Sequence, residues 1–475
     1  MVDILIKNGF LVTMDKSRKV IEDGAVAIDG NRIIDVGKTS TLAKKYKADK
    51  VIDAKGKMVM PGLINTHDHL FQVLYKSLGD DQELFGWVNS VIAVSEHLKE
   101  KDCYYSALAG CLEMIKSGAT CVSEFHYVNH KQVLFDDTAK GILDSGMRAV
   151  VARGTSDNAD MPGPKFLVDT TEKAIKESKR CIEKWHGKAN GRIRVGISPG
   201  LPPWGTHELL HQVRDLATKL KLPLSVHVSE TQREVEESKK MYGLRPIELM
   251  NSLNFLGPDV LCIHCVWLSD REIRILANTG AAVSHNPTSN MYLASGPSPI
   301  HRLVEAGVTM SLGLDGAASN NNQDMVELMK MAVLLNKVST LDPTSMTAER
   351  VLEMATLGGA KALGIEREVG SLEKGKKADI AIANLKNLAT TPINRPYSQL
   401  IYCANGSIMD TVLVDGKILM EGRKILVFDE EEVIQKTQET ADNLLERSGK
   451  KNLRTRPWRN VAYITVGLKA IISQL

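Results

Sequence analysis

The feature that most constrains this chain is a recurrence. Eight short apolar runs, spread from about residue 61 to residue 370, each stay apolar until their C-terminal end and then break into His, Glu, Ser, Asn or Asp. The runs are MVMPGLINTHDH, ATCVSEF, MRAVVARG, RIRVGISPG, LPLSVHVSE, DVLCIHCVWL, AAVSHNPTS and VTMSLGLDG. Between them lie stretches such as ELLHQVRDLATKLKL, whose apolar residues recur at helical spacing. Strand and helix in alternation predict a parallel sheet of βα units, and eight such units predict closure into an α/β (β/α)8 barrel. In that architecture the C-terminal ends of the strands carry the active site, which is where the polar residues fall.

A barrel takes about 250 residues, and the chain has 475, so a second unit is expected. The segments ILIKNGFLVTMD, GAVAIDGNRIIDVG, ADIAIANL and DTVLVDGKILMEGRK share a style of short alternating strands and turns. They predict a composite β-sandwich domain built from residues 1–60 and 371–425, with the barrel at 61–370. A tail over 426–475 starts helical in EEEVIQKTQETADNLLERS and turns basic and aromatic from Arg454 to Trp458. Packing or self-association is its expected role, and a homo-oligomer is expected. A net charge of +3 with no long basic stretch argues against nucleic acid. No apolar run approaches the ~20 residues of a membrane span, and the N-terminus alternates like a strand instead of carrying a leader's apolar stretch. A cytoplasmic protein acting on a small molecule is therefore expected. Seven scattered cysteines fit reduced thiols better than a disulfide framework. Cys262 and Cys265 form a CxxC, yet inside a strand-like run and away from any helix N-terminus that would lower a thiol pKa.

The chemistry concentrates at the run ends. His67 and His69 close the first run, and residues two apart on a strand face the same way. His227 ends the fifth run, His264 the sixth and Asp315 the eighth, so all converge on one barrel mouth. Imidazoles with a carboxylate are the donors of a borderline divalent cation such as zinc or iron. Glu230 lies just beyond the fifth strand, where Ser229 or Thr231 can also start a helix. Glu124 and His126 end the second run, His285 and Asn290 follow the seventh, and Ser319 follows Asp315 by four residues, so all five are expected at the mouth as candidates for contacting the substrate. His97, His186, His207, His211 and His301 lie in helical or loop stretches and read as structural.

NTHDH, HVSE, the strand ending in IHC, SHNPTSN and LGLDGAASNNN together resemble the amidohydrolase superfamily, in its branch of atrazine chlorohydrolase, melamine deaminase and adenosine-type deaminases. The resemblance extends to VIDAKGKMVMPGLIN, GSLEKGKKADIAI and DTVLVDGKILMEGRK, and so covers nearly the whole chain. It implies that His67, His69, His227 and Asp315 ligate the metal, while Glu230, His264 and Asp315 carry the catalysis. Gln72 resembles the position that meets the heterocycle, and Phe85 and Trp87 in LFGWV resemble an aromatic wall. Binuclear relatives bridge two cations with a carboxylated lysine at the end of the fourth strand, where this chain has Ser198, Pro199 and Gly200; one metal per chain is expected, zinc first and iron second. The implied reaction is deamination of a heteroaromatic amine by attack of metal-bound hydroxide on a ring carbon. An s-triazine chlorohydrolase, and an S-adenosylhomocysteine or methylthioadenosine deaminase, remain alternatives. The nucleoside deaminases carry a sugar-holding histidine where SPGLPPW has Gly200, and an acidic residue where Gly86 precedes Trp87. These departures favour a compact aminated ring, such as an aminotriazine, an aminopurine or a pterin base.

Overall fold

The structure is a computed structural model and describes residues 1–160 and 163–455. The eight runs form eight parallel strands: β1 (Leu63–Asp68), β2 (Ala119–His126), β3 (Arg148–Thr155), β4 (Ile193–Pro199), β5 (Leu224–Val228), β6 (Val260–His264), β7 (Ala282–His285) and β8 (Met310–Leu312). They pair in sequence order. The last meets the first at the mouth, where the Asp315 amide donates to the His67 carbonyl (2.9 Å) and the Leu314 amide to Asn65 Oδ1 (2.9 Å). The result is a nearly closed (β/α)8 barrel.

The helix His207–Leu220 shows how the sequence builds the outer layer. Thr206 caps it by accepting the Leu209 amide, and Leu209, Leu210, Val213, Leu216 and Ala217 form one buried stripe. Each buried leucine of that kind contributes about 1.5–3 kcal/mol.

The first apolar run divides between two sheets. Lys57–Pro61 joins an outer sheet and Leu63–Asp68 enters the barrel. The crossing point is Gly62, where a Cβ would stand 2.1 Å from the Thr120 side chain. The outer sheet is mixed and has nine strands, drawn from Val2–Pro61 and Ile380–Ile425. Its seam is the antiparallel pairing of Ile380–Asn384 with Lys57–Pro61, which ties the two ends of the chain together. Ile6, Val26, Ile28 and Ile33 meet Val59, Ile380, Ile382 and Leu413 in a core separate from the barrel's.

This sheet is fastened beneath the barrel. Arg148, the first residue of β3, bonds Asp379 through Nε (2.7 Å) and Nη2 (3.0 Å), and Asp415 lies 3.5 Å from Nη2. The helix Glu430–Arg447 forms as expected, capped by Asp429, and Arg447 pairs with Asp102. The basic and aromatic reading over Arg454 to Trp458 falls outside the described residues beyond Thr455. No helix among the described residues is long and apolar enough to cross a membrane. All seven thiols are free, and burial pushes that of Cys265 well up, which suits packing and not redox chemistry.

Candidate active site

His67 and His69 leave β1 with their Nε2 atoms aimed at the barrel axis, and β5 and the turn after β8 bring up two more donors. His227 Nε2 stands 3.1 Å from His67 Nε2 and 3.3 Å from His69 Nε2. Asp315 Oδ1 lies 3.4 Å from His67 Nε2 and 3.5 Å from His69 Nε2. Donors about 2.0–2.1 Å from a common tetrahedral centre would be about 3.3–3.4 Å apart. The four atoms therefore have the spacing of a metal's ligand shell, and these residues recur in the two overlapping groups able to hold a cation. Their protonation fits as well. His69 Nδ1 donates to the Phe125 carbonyl (2.7 Å), leaving Nε2 a bare lone pair. Burial drives the His67 and His227 rings below the ordinary histidine value and the His69 ring down to about 3. Burial opposes ionisation of Asp315, but the His67 hydrogen bond and the neighbouring imidazoles His67, His264 and His69 carry it well below the usual carboxylate range. Neutral imidazoles around one carboxylate are what a divalent cation requires.

A second pair stands beside this shell. His264 Nε2 is 3.5 Å from Glu230 Oε2 and 3.8 Å from Asp315 Oδ2, and His264 Nδ1 donates to Asn290 Oδ1 (2.9 Å). Burial raises the Glu230 carboxyl. Burial works against protonation of His264, yet Glu230 and Asp315 nearby turn the net shift upward. Thr231 caps the helix Gln232–Tyr242 in a capping box with Glu234, so Glu230 sits immediately ahead of a helix start and faces the site at the same time. His264, Asp315 and Ser229 all have left-handed backbones, with φ of 70°, 63° and 53°. Such strain, of order 1–3 kcal/mol each, concentrates where side-chain aim matters more than backbone comfort.

All of this opens into one cavity. His69, Gln72, Phe85, Trp87, His227, Glu230, His264, Asp315 and Ser319 line it, together with Ser198, Pro199 and Gly200. Gln72 Nε2 donates to Tyr127 Oη (3.0 Å), and Trp87 Nε1 to the Ala318 carbonyl (3.1 Å), tying the loop after β1 to the loop after β8.

Four residues expected at the mouth do not line the cavity. Glu124 accepts the Leu70 amide (2.7 Å), and His126 packs against Phe135 and Thr138, both on the barrel's outer side. Their neighbour Phe125 takes the cavity face instead. The reason is parity: a register shift between Asn65 and Asp68 against β2 decides which alternate residues of β2 point inward. Asn290, on the short helix Pro287–Tyr292, turns back to hold His264, and His285 is buried with both ring nitrogens unpartnered and its carbonyl taken by the Gly313 amide. His97, His186, His207, His211 and His301 are also absent from the lining. Sequence reasoning missed Tyr127, Thr155, Ser156, Trp204 and Glu234 on the wall. Only Trp204, an aromatic beyond the fourth run, carried a signal that could have found it.

A family model, the amidohydrolase family, matches residues 58–419. The chain is 42% identical over 448 residues to a 5'-deoxyadenosine deaminase of Methanosarcina mazei, covering 94% of this chain and 99% of that protein. It is 38% identical over 444 residues to a 5-methylthioadenosine/S-adenosylhomocysteine deaminase of Desulforudis audaxviator, covering 93% and 99%. An adenosine deaminase from Xanthomonas campestris, solved with bound zinc, matches with a TM-score of 0.88 at 29% identity, covering 94% of this chain and 99% of that one.

Proposed function

The chain belongs to the amidohydrolase family, and from that premise we propose that it is a hydrolytic deaminase that removes the exocyclic amine of an adenine-type ring with the help of one zinc ion. The observation that carries the reading is that the His67, His69, His227 and Asp315 donors meet the Glu230–His264 pair, all of them but His67 lining one cavity. His67, His69, His227 and Asp315 would hold the ion. When bound, such an ion lowers the pKa of water from 15.7 to about 7 and so supplies a nucleophile at neutral pH. No lysine stands at the end of β4 to bridge a second ion, which supports a single metal.

The chain's own residues supply the proton traffic. Asp315 Oδ2, directed toward His264, is placed to take the proton released by the attacking water. His264 Nε2 lies between Asp315 and Glu230 and orients that water toward the ring carbon. Glu230 keeps its proton more readily than an ordinary glutamate because it is buried, so it can protonate a ring nitrogen, while the proton that Asp315 takes from the water can pass to the departing amine, and the new hydroxyl's proton returns to Glu230 as the ring carbonyl forms. General acid catalysis of this kind contributes about 10²–10⁴-fold. Gln72 and Trp87 are the candidates for holding the ring's edge and face. Unpaired thiols throughout support a reducing, cytoplasmic setting.

The test is a panel of adenine, adenosine, 5'-deoxyadenosine, aminotriazines and atrazine, scored for ammonia and for chloride. Ammonia release from the adenine compounds is expected. Chloride release alone would move the enzyme to the triazine dechlorinases, and turnover confined to aminotriazines would replace adenine by the compact ring that Gly200 and Gly86 favour.

A further inference from the structure

The helix Met325–Thr340 packs on the barrel through Leu328, Met329, Ala332 and Val333, with Asn336 buried on the same side. A surface helix carries polar residues on the side turned away from the core. Here that side carries Met331, Leu334, Val338 and, just past the helix end, Leu341, which line an apolar groove with Met291 and Pro343. Leu334, Val338 and Leu341 are 43%, 66% and 89% exposed, and Met291 is 42% exposed. Leu341 closes the helix in the left-handed conformation (φ 53°), a position that usually falls to glycine. A large apolar side chain is thus presented to solvent at a backbone cost.

The stripe steps by three, four and three residues, the spacing of a coiled-coil seam. It is also symmetric about Asn336: Leu334 and Val338 stand two residues to either side, Met331 and Leu341 five, and Lys330 and Asp342 six. We propose that this face is the interface of a homodimer, in which the helix Met325–Thr340 lies antiparallel on that of a second copy with the twofold axis passing at Asn336. A twofold interface must be self-complementary, and this stripe is. Leu334 meets the second copy's Val338, Met331 meets its Leu341, and at the rim the cation Lys330 meets its exposed carboxylate Asp342. A parallel alignment would instead set Lys330 against Lys330 and Asp342 against Asp342, and like charges so placed reject the wrong register. Lys337, one residue from the axis, is tied to its own chain: its ammonium donates to Tyr402 Oη (2.9 Å) and lies 5.1 Å from that ring's centroid. The inference stands apart from the deaminase reading and does not depend on it.

Sedimentation of full-length, zinc-loaded protein tests it, and a dimer or a larger even-numbered assembly is expected. Val338→Glu sets an unpaired carboxylate against the second copy's Leu334 and should raise the dissociation constant at least about 100-fold. The assembly should then halve in size while zinc content and helical content stay at wild-type levels. Lys330→Asp and Asp342→Lys should each weaken association about tenfold, since the twofold makes every change twice, and the two combined in one chain should restore the wild-type constant. That rescue is specific to the antiparallel register, and it decides the matter if Val338→Glu does not fold. A wild type that sediments as a monomer overturns the proposal, whether the stripe is then bare or covered by the chain's own residues 456–475. An assembly that ignores Val338→Glu, or charge exchanges that add instead of rescuing each other, overturns it equally.

Discussion

The two ends of the barrel treat their buried polar groups in opposite ways. At the N-terminal end a buried arginine meets its partners: Arg148 and Asp379, with side chains 4% and 2% exposed, share two hydrogen bonds, and Asp415 also lies within 3.2 Å of Lys377. At the C-terminal end equally buried polar atoms are left without protein partners, among them Gln72 Oε1, Ser229 Oγ, both ring nitrogens of His285 and Asn290 Nδ2. Left-handed φ occurs at both ends, at His264, Asp315 and Ser229 beside the site and at Asp415 (51°) in the turn between Met409–Val414 and Lys417–Glu421. Closed pairs hold an outer sheet in place, whereas at the open end Gln72 faces the cavity and Ser229, His285 and Asn290 stand behind its wall. At the open end the left-handed backbones aim the reacting side chains, whereas at the closed end the left-handed residue only turns a hairpin.

The largest expected effect lies at the open end. Glu230→Gln keeps the side chain's shape and removes its proton, so kcat should fall about 10²–10⁴-fold while zinc content stays at the wild-type level. His227→Ala should instead lose the metal itself. Elemental analysis beside steady-state rates distinguishes the two, and normal turnover by Glu230→Gln would remove it as the acid.

The closed end should show the reverse pattern. Arg148→Met strands Asp379 in a buried setting, while Asp415 keeps Lys377, and breaking such a buried pair costs about 3–5 kcal/mol of stability. Urea unfolding measures that loss, while kcat per folded, metal-loaded molecule should be unchanged. A rate defect without a stability defect would erase the distinction between the ends.

Glu124 sharpens the boundary, because it touches the open end without lining the cavity. Its Oε2 accepts the Leu70 amide (2.7 Å), one residue beyond His69, and the next carbonyl along β2, that of Phe125, accepts His69 Nδ1. Ser106 holds the Leu70 carbonyl from the other side (2.6 Å). Glu124 thus aims a metal ligand and does not meet the substrate. Glu124→Ala should weaken zinc about 10–100-fold in a chelator competition, and Glu124→Gln, which keeps an acceptor, should weaken it less. Unchanged zinc affinity in a folded Glu124→Ala would return the residue to a packing role.

Much of this was legible in the sequence, and what was not has a physical cause. The strands could be read because each is a short apolar run, and the donor set because His67, His69, His227 and Asp315 stand at strand ends, where position alone points them to the mouth. Glu124 and His126 could not be placed, because a one-residue change of register exchanges the two faces of β2 and nothing in the local sequence marks the shift opposite Asn65 and Asp68. The division of MVMPGLINTHDH between two sheets was hidden for a similar reason: the crossing depends on how closely Thr120 approaches Gly62, a contact between residues distant in sequence. Trp204 reaches the wall through a turn whose tightness comes from Gly200 and Gly205, and tightness of that kind appears only in three dimensions.

The smallest expected effect is a difference in acid sensitivity between the ends. Burial pushes both His126 and His285 down to about 3, so each stays neutral in the folded protein through the mildly acidic range. In the unfolded chain each titrates near 6.5. Between those values the unfolded chain binds protons that the folded chain refuses, so stability falls as pH drops from about 6.5 toward 3, and neither group affects stability above that window. Each can contribute a slope of up to about 1.4 kcal/mol per pH unit. Arg148 remains charged throughout the same range and adds no such slope. Urea unfolding of zinc-saturated protein at pH 8, 6 and 5 should therefore show a decline that is shallower in His126→Gln and in His285→Gln by up to that amount. An acid slope that ignored both histidines would place the pH-sensitive charges elsewhere in the molecule.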